Sequence, residues 1–205
     1  VLIDLVRVSA EKPARYDLPF YLSGQIVDFG GGDIATRPST REALGRGAGY
    51  EHLWLEATAR WKFGIPKFSW LNAGRFYTLH SVAPAGTEGA FVKIGASDPN
   101  FNLRSEQGFM LRAPRATSAT FATVVEPHGV YDPANEFTVG SEGNIETIRH
   151  WEKDGSDLIE LLTKGGGVIR VAISHDPAPG TPHRLEQDGA VLEWSGFAAV
   201  IGDQK

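Results

Sequence analysis

The sequence predicts an all-β fold, an antiparallel two-sheet β-sandwich forming a single domain over residues 1–205. Three observations carry this reading. Short apolar runs recur along the chain, each closed by turn residues, and that spacing is the pattern of a sandwich or barrel. Glycine is abundant at 24 of 205 residues, against roughly 7% in an average chain, which favours many turns over long helices. No stretch holds a helical apolar period over three turns, although 40–44 is long enough for a single turn.

The first run, Val1-Leu2-Ile3-Asp4-Leu5-Val6-Arg7-Val8, reads as a strand from residue one. A strand with no polar lead-in suggests a piece of a longer polypeptide; the alternative is a domain whose first strand is tied into a sheet. Further strands are expected at 20–28, 51–61, 69–80, 90–96, 107–113, 117–126, 136–140, 145–152, 157–163, 168–174 and 190–201. Within 69–80 and 117–126, the segments Phe76-Tyr77-Thr78-Leu79-His80 and Thr120-Phe121-Ala122-Thr123-Val124-Val125 are rich in aromatic and β-branched residues. Lys164-Gly165-Gly166-Gly167 reads as the turn of a hairpin. Residues 29–49, rich in Gly and Arg, read as a long loop inside a compact domain, hence functional or mobile.

Composition excludes several chemistries. The chain has no Cys, so a disulfide scaffold, a Cys-ligated zinc site and a thiol nucleophile are ruled out. A net charge of -5 argues against nucleic acid as a partner. No apolar run is long enough to cross a bilayer as a helix. The six His (His52, His80, His128, His150, His175, His183) form no metal-ligand spacing, and scattered hydrogen-bonded His is the simpler reading. Gly140-Ser141-Glu142-Gly143 lacks the spacing of a nucleophile elbow. Gly30-Gly31-Gly32 is followed by no G-K-[ST], so it reads as conformational freedom rather than a phosphate cradle.

Carbohydrate chemistry fits better. Five Trp and five Tyr offer flat apolar faces with polar edges, suited to sugar rings and to cores alike. A strand over 50–57 would place Tyr50, His52, Trp54 and Glu56 on one face, with Leu53, Leu55 and Ala57 on the other. The basic series Arg60, Lys62, Lys67, Arg75, Lys93, Arg104, Arg112 and Arg115 suits an anionic ligand, or simply solvates exposed strands. The densest polar turn, 126–136, holds Glu126, His128, Tyr131, Asn135 and Glu136. Those groups serve hydroxyl recognition or acid–base work, or form a rigid turn that caps the sandwich.

Five strings occur in order: Tyr16-Asp17-Leu18-Pro19, Glu51-His52-Leu53-Trp54, Arg75-Phe76-Tyr77-Thr78, Gly95-Ala96-Ser97-Asp98-Pro99-Asn100-Phe101-Asn102-Leu103-Arg104 and Val125-Glu126-Pro127-His128-Gly129. On these the chain resembles the C-terminal β-domain of heparinase II/III-like polysaccharide lyases, most of all the family 17 oligoalginate lyases. The resemblance implies a uronate lyase acting by β-elimination, with an N-terminal α/α toroid as partner within the same enzyme and an acidic, alginate-type oligosaccharide as substrate. It places the catalytic residues, and a structural zinc, upstream of Val1. No catalytic or metal residue and no cofactor is therefore assigned to this chain, and the chain alone is expected to be inactive. For substrate contact, local chemistry points to Tyr131, Asn135 and Glu136. A periplasmic or secreted location and possible homo-oligomers go with this class. The rival readings are a stand-alone carbohydrate-binding module and a dimerisation domain without sugar contact.

Overall fold

The computed structural model describes residues 1–36, 42–61, 65–95, 106–176 and 178–202. It is all-β and antiparallel, and divides into two compact units, Val1–Gly143 and Asn144–Lys205. The turn expected at 40–44, the string 95–104, Lys62 and Arg104 lie wholly or partly outside the described residues.

The first unit holds β1 (Leu2–Leu22), β2 (Gln25–Asp28), β3 (Asp33–Thr36), β4 (Leu53–Arg60), β5 (Lys67–Asn72), β6 (Arg75–Val82), β7 (Glu88–Ile94), β8 (Gln107–Asp132) and β9 (Phe137–Val139). All nine join one sheet in the order β2-β5-β6-β8-β7-β4-β3, with β1 and β9 also paired to β8. The runs expected at 107–113 and 117–126 are one 26-residue strand. Along one edge, β8 pairs with β1 from Gln107 to Val125. Along the other it pairs with β7 up to Arg112 and with β6 from Ala122 onward. Pro114 lies in the gap between those two partners, where a missing N–H breaks no ladder bond to either. Pro127 lies beyond the end of the β1 pairing, so its lack of an N–H leaves that side intact.

Because β8 serves both halves, the sheet curls and its halves enclose one core. Phe68 on β5 has no exposed surface, and its ring lies 5.7 Å from Phe91 on β7 and 4.5 Å from Phe109 on β8. Leu79, Leu111, Phe121 and Trp70 join this cluster, with Val6, Val8, Leu18 and Phe20 of β1 packed against it. A smaller apolar cluster gathers Leu53, Ala90, Val92 and Met110.

The second unit holds β10 (Ile145–Lys153), β11 (Ser156–Thr163), β12 (Val168–Ser174), β13 (Pro182–Gln187), β14 (Ala190–Ser195) and β15 (Ala198–Gly202). Four strands form the sheet β10-β11-β12-β15, and β13 and β14 form a separate hairpin. Leu158 and Ala172 from the four-stranded sheet pack on Leu185, Leu192 and Trp194 from the hairpin, a two-layer core. The expected turn at 164–167 joins β11 to β12, with Gly166 N bonded to Thr163 O at 2.9 Å. The run expected at 190–201 is two strands, broken at Gly196, where φ is +80°.

One expected strand differs in a way that matters for function. Residues 50–52 form a single 3-10 turn, so β4 starts at Leu53. A register shift between Leu55 and Ala57 then breaks the alternation. Leu53 enters the smaller cluster while Ala57 and Ala59 enter the main core. The uniform Tyr50/His52/Trp54/Glu56 face therefore does not form.

Truncating Phe68 removes the ring that joins both halves of the curled sheet. Phe68→Ala is expected to destabilise the first unit by about 3–5 kcal/mol, read by urea unfolding.

Candidate functional site

The polar turn picked out from sequence is the tip of the β8–β9 hairpin. Strand β8 runs on through His128 and Tyr131 to Asp132, so the turn proper is residues 133–136. Asp132 organises it. Its Oδ1 accepts the Ala134 N–H at 2.9 Å, and its Oδ2 accepts the Asn135 amide at 2.7 Å. These bonds, the Asn135 amide first, hold the Asp132 carboxyl below its ordinary pKa. Asn135 thus uses its amide N–H within the turn. Glu136 takes the left-handed backbone conformation, φ +52°, and is exposed. Tyr131 is half-buried and faces Thr138 across the hairpin. Beside them Val130, Phe137 and Val139 are exposed, an apolar strip next to polar groups.

The base of this hairpin is close-packed and hydrogen-bonded. Gly129 has φ +46°, and a Cβ there would lie 2.0 Å from Gly140 O. His128 Nδ1 lies 2.9 Å from the Gly140 carbonyl, an oxygen that only accepts, so Nδ1 carries the proton. Nε2 is hydrogen-bonded to the Thr78 hydroxyl at 2.8 Å. Thr78 Oγ1 in turn shares a hydrogen bond with Ser69 Oγ at 2.7 Å. Phe76 stacks on the His128 ring at 6.0 Å. A line of polar groups from β5 through β6 and β8 thereby reaches the hairpin. Glu126, also buried, lies beside Gly143, where a Cβ would come within 2.5 Å of Oε2.

His80, next along β6 from this line, is 1% exposed, and neither ring nitrogen has a hydrogen-bond partner among the described residues. Burial, with Lys67 and His128 nearby, pushes its pKa down to about 4. The imidazole is held neutral in the folded protein.

The remaining polar clusters are structural in their geometry. Asp17, almost wholly buried, accepts the Tyr50 hydroxyl at 2.6 Å and faces Arg112 at 3.3 Å and Arg15 at 3.5 Å. Burial and then the Asp17 bond raise the Tyr50 pKa. In the second unit, Asp157 has no exposed side-chain surface and accepts from His150 Nε2 at 2.7 Å and His175 Nε2 at 3.1 Å. Glu160 faces Arg149 and Arg170. Among the described residues no group of three or more His, Asp or Glu is placed to hold a metal ion. Of the six described members of the basic series, four are paired: Arg60 with Glu88, Lys93 with Glu56, Arg112 with Asp17, and Arg115 with the Pro13 carbonyl.

Sequence reasoning missed the Ser69–Thr78–His128 line and the isolation of His80. The available signal was Ser and Thr placed among aromatic residues on strands that should be buried. It also missed the Asp157 pairing, whose signal is an acid at the head of the apolar run Leu158-Ile159.

Comparison with known proteins follows the fold. A family model described as the C-terminal domain of exo-oligoalginate lyase-like proteins matches residues 163–201, within the second unit. Over its whole length the chain is 33% identical to an exo-oligoalginate lyase of Saccharophagus degradans. It is 35% identical, again over its whole length, to an alginate lyase of Stenotrophomonas maltophilia. The chain spans 28% of each of these relatives. It is similar to the C-terminal part of oligoalginate lyases, as the five strings indicated.

Two outcomes follow from this geometry. Gly129→Ala is expected to open the hairpin, seen as faster amide exchange at Val130, Tyr131 and Thr138 with the remaining strands protected. Unfolded His80 takes up a proton near pH 6.5 and folded His80 near 4, so folding stability from this group is full above pH 6.5 and falls with pH through that window. The slope is about 1.4 kcal/mol per pH unit. His80→Phe should remove that component from the pH dependence of urea unfolding.

Proposed function

We propose that this chain is the C-terminal β part of a uronate lyase that cleaves alginate-type oligosaccharides by β-elimination, and that it supports the substrate cleft of that enzyme. The observation that carries this is the whole-length similarity to two alginate lyases, joined to the C-terminal-domain match over 163–201. In this reading the reacting groups lie on the remainder of the enzyme, an N-terminal toroid, and the chain's own contribution is positional. The β8–β9 hairpin is the contact point. Its tip presents the Glu136 carboxylate and the Tyr131 ring from a base fixed by Gly129, Gly140 and His128. Asn135 acts by holding the turn through Asp132, and its carbonyl remains to accept from a sugar hydroxyl. On the hairpin face opposite Tyr131, the exposed Val130, Phe137 and Val139 add apolar surface suited to the C–H face of a sugar ring. A periplasmic or secreted location, where polymer fragments arrive, belongs to the same proposal.

The test is Glu136→Ala in the full-length enzyme. A fall of about tenfold in kcat/KM on oligoalginate is expected, about 1.4 kcal/mol of lost transition-state stabilisation. Unchanged kinetics would remove the hairpin from the cleft.

A further inference from the structure

A hollow of about 380 Å³ in the first unit, remote in sequence from the β8–β9 hairpin, is lined by Arg60, Trp61, Pro84, Gly86, Thr87 and Glu88. Its size falls in the range of small-molecule sites. Its walls are fixed in advance. Trp61 Nε1 donates to the carbonyls of Phe29 at 3.2 Å and Lys67 at 3.1 Å. The indole stands edge-on to Phe109, 6.1 Å between centroids at 88°. Gly89 seats it, since a Cβ there would lie 2.7 Å from the ring. On the turn at 84–87, Thr87 Oγ1 donates to Pro84 O at 2.6 Å, and Thr87 N donates to the same carbonyl at 3.1 Å.

Arg60 supplies the charge. Its Nε and one NH2 proton both go to a single oxygen, Oε1 of Glu88. The other edge of the guanidinium, through NH1, has no partner among the described residues, and the side chain is 77% exposed. A guanidinium edge of this kind receives a planar carboxylate through two parallel bonds. An indole whose tilt is already set receives a flat hydroxylated ring with little further loss of freedom.

We infer that this hollow is a second sugar site, binding one acidic sugar residue of an oligosaccharide with its ring on Trp61 and its carboxylate on the open edge of Arg60. A neutral sugar lacks the group for Arg60, and an inorganic anion lacks the ring for Trp61. The choice of a uronate among ring-bearing carboxylates rests on the proposed function; the pairing of indole with guanidinium does not. The site serves to hold the polymer chain.

The experiment titrates the 205-residue chain with mannuronate oligosaccharides and with the same oligosaccharides after carboxyl reduction, following the Trp61 indole N–H by NMR. Saturable binding of the acidic form is expected with a Kd of about 1 mM or below. Arg60→Gln should weaken it about tenfold and leave binding of the reduced form unchanged. Trp61→Ala should abolish both, with circular dichroism checking its fold. Arg60 is exposed, so its variant decides the matter whether or not Trp61→Ala folds. Absence of saturation by wild type at about 10 mM, or equal affinity in Arg60→Gln, would overturn the site. That failure would leave the lyase reading standing. A full-length enzyme that bound oligouronate here and released no unsaturated product would instead sink the lyase reading alone.

Discussion

Strand β8 is the constraint on which the first unit depends. It is shared by two sets of strands: β1 runs along most of one edge, while β7 and then β6 take successive parts of the other. A strand shared in this way cannot stay flat while both sets keep their registers, given the native twist of strands. The sheet curls, and the apolar residues of its two halves meet around Phe68. The positions of Pro114 and Pro127 fit the same constraint, each at a place where β8 lacks a partner on one side. A proline in the doubly paired stretches would remove a ladder bond.

The far end of β8 also carries the exposed turn that Asp132 organises. Order there comes from below: Gly129 and Gly140 let two backbones approach, and His128 links that approach to Thr78 and Ser69. The buried polar line rigidifies because each member is satisfied. His80 beside that line is a buried imidazole with no partner among the described residues, and it stays neutral because charging it would require hydration it lacks. The sugar-facing roles proposed for the hairpin tip and for the Trp61 hollow share one physical feature: side chains fixed by contacts behind them before any ligand arrives.

Much of the fold was legible in the sequence because a strand's alternation is local. Runs such as 76–80 and 120–125 declare themselves by β-branched and aromatic content. What failed was what depends on partners far away. The merging of 107–113 and 117–126 into β8 follows from pairing with β1, about a hundred residues earlier. The strand at 182–187 was missed because His183, Arg184 and Glu186 dilute its apolar signal; it forms because Leu185 meets Leu158 and Leu192 in the two-layer core. The 3-10 turn at 50–52 was missed because Tyr50 is tied to Asp17, 33 residues away, by its hydroxyl. Of the candidate site, the residues of the turn were readable as types. The role of Asn135 was not, since it is set by Asp132 geometry.

In the proposed function this chain is the C-terminal support of a uronate lyase whose reacting groups lie elsewhere in the enzyme. The direct measurement is the ultraviolet absorbance of unsaturated uronate on adding oligoalginate, recorded for the full-length enzyme and for the 205-residue chain by itself. A steady rise is expected with the full-length enzyme and none with the chain. No rise with the full-length enzyme, or a rise with the chain alone, would contradict it.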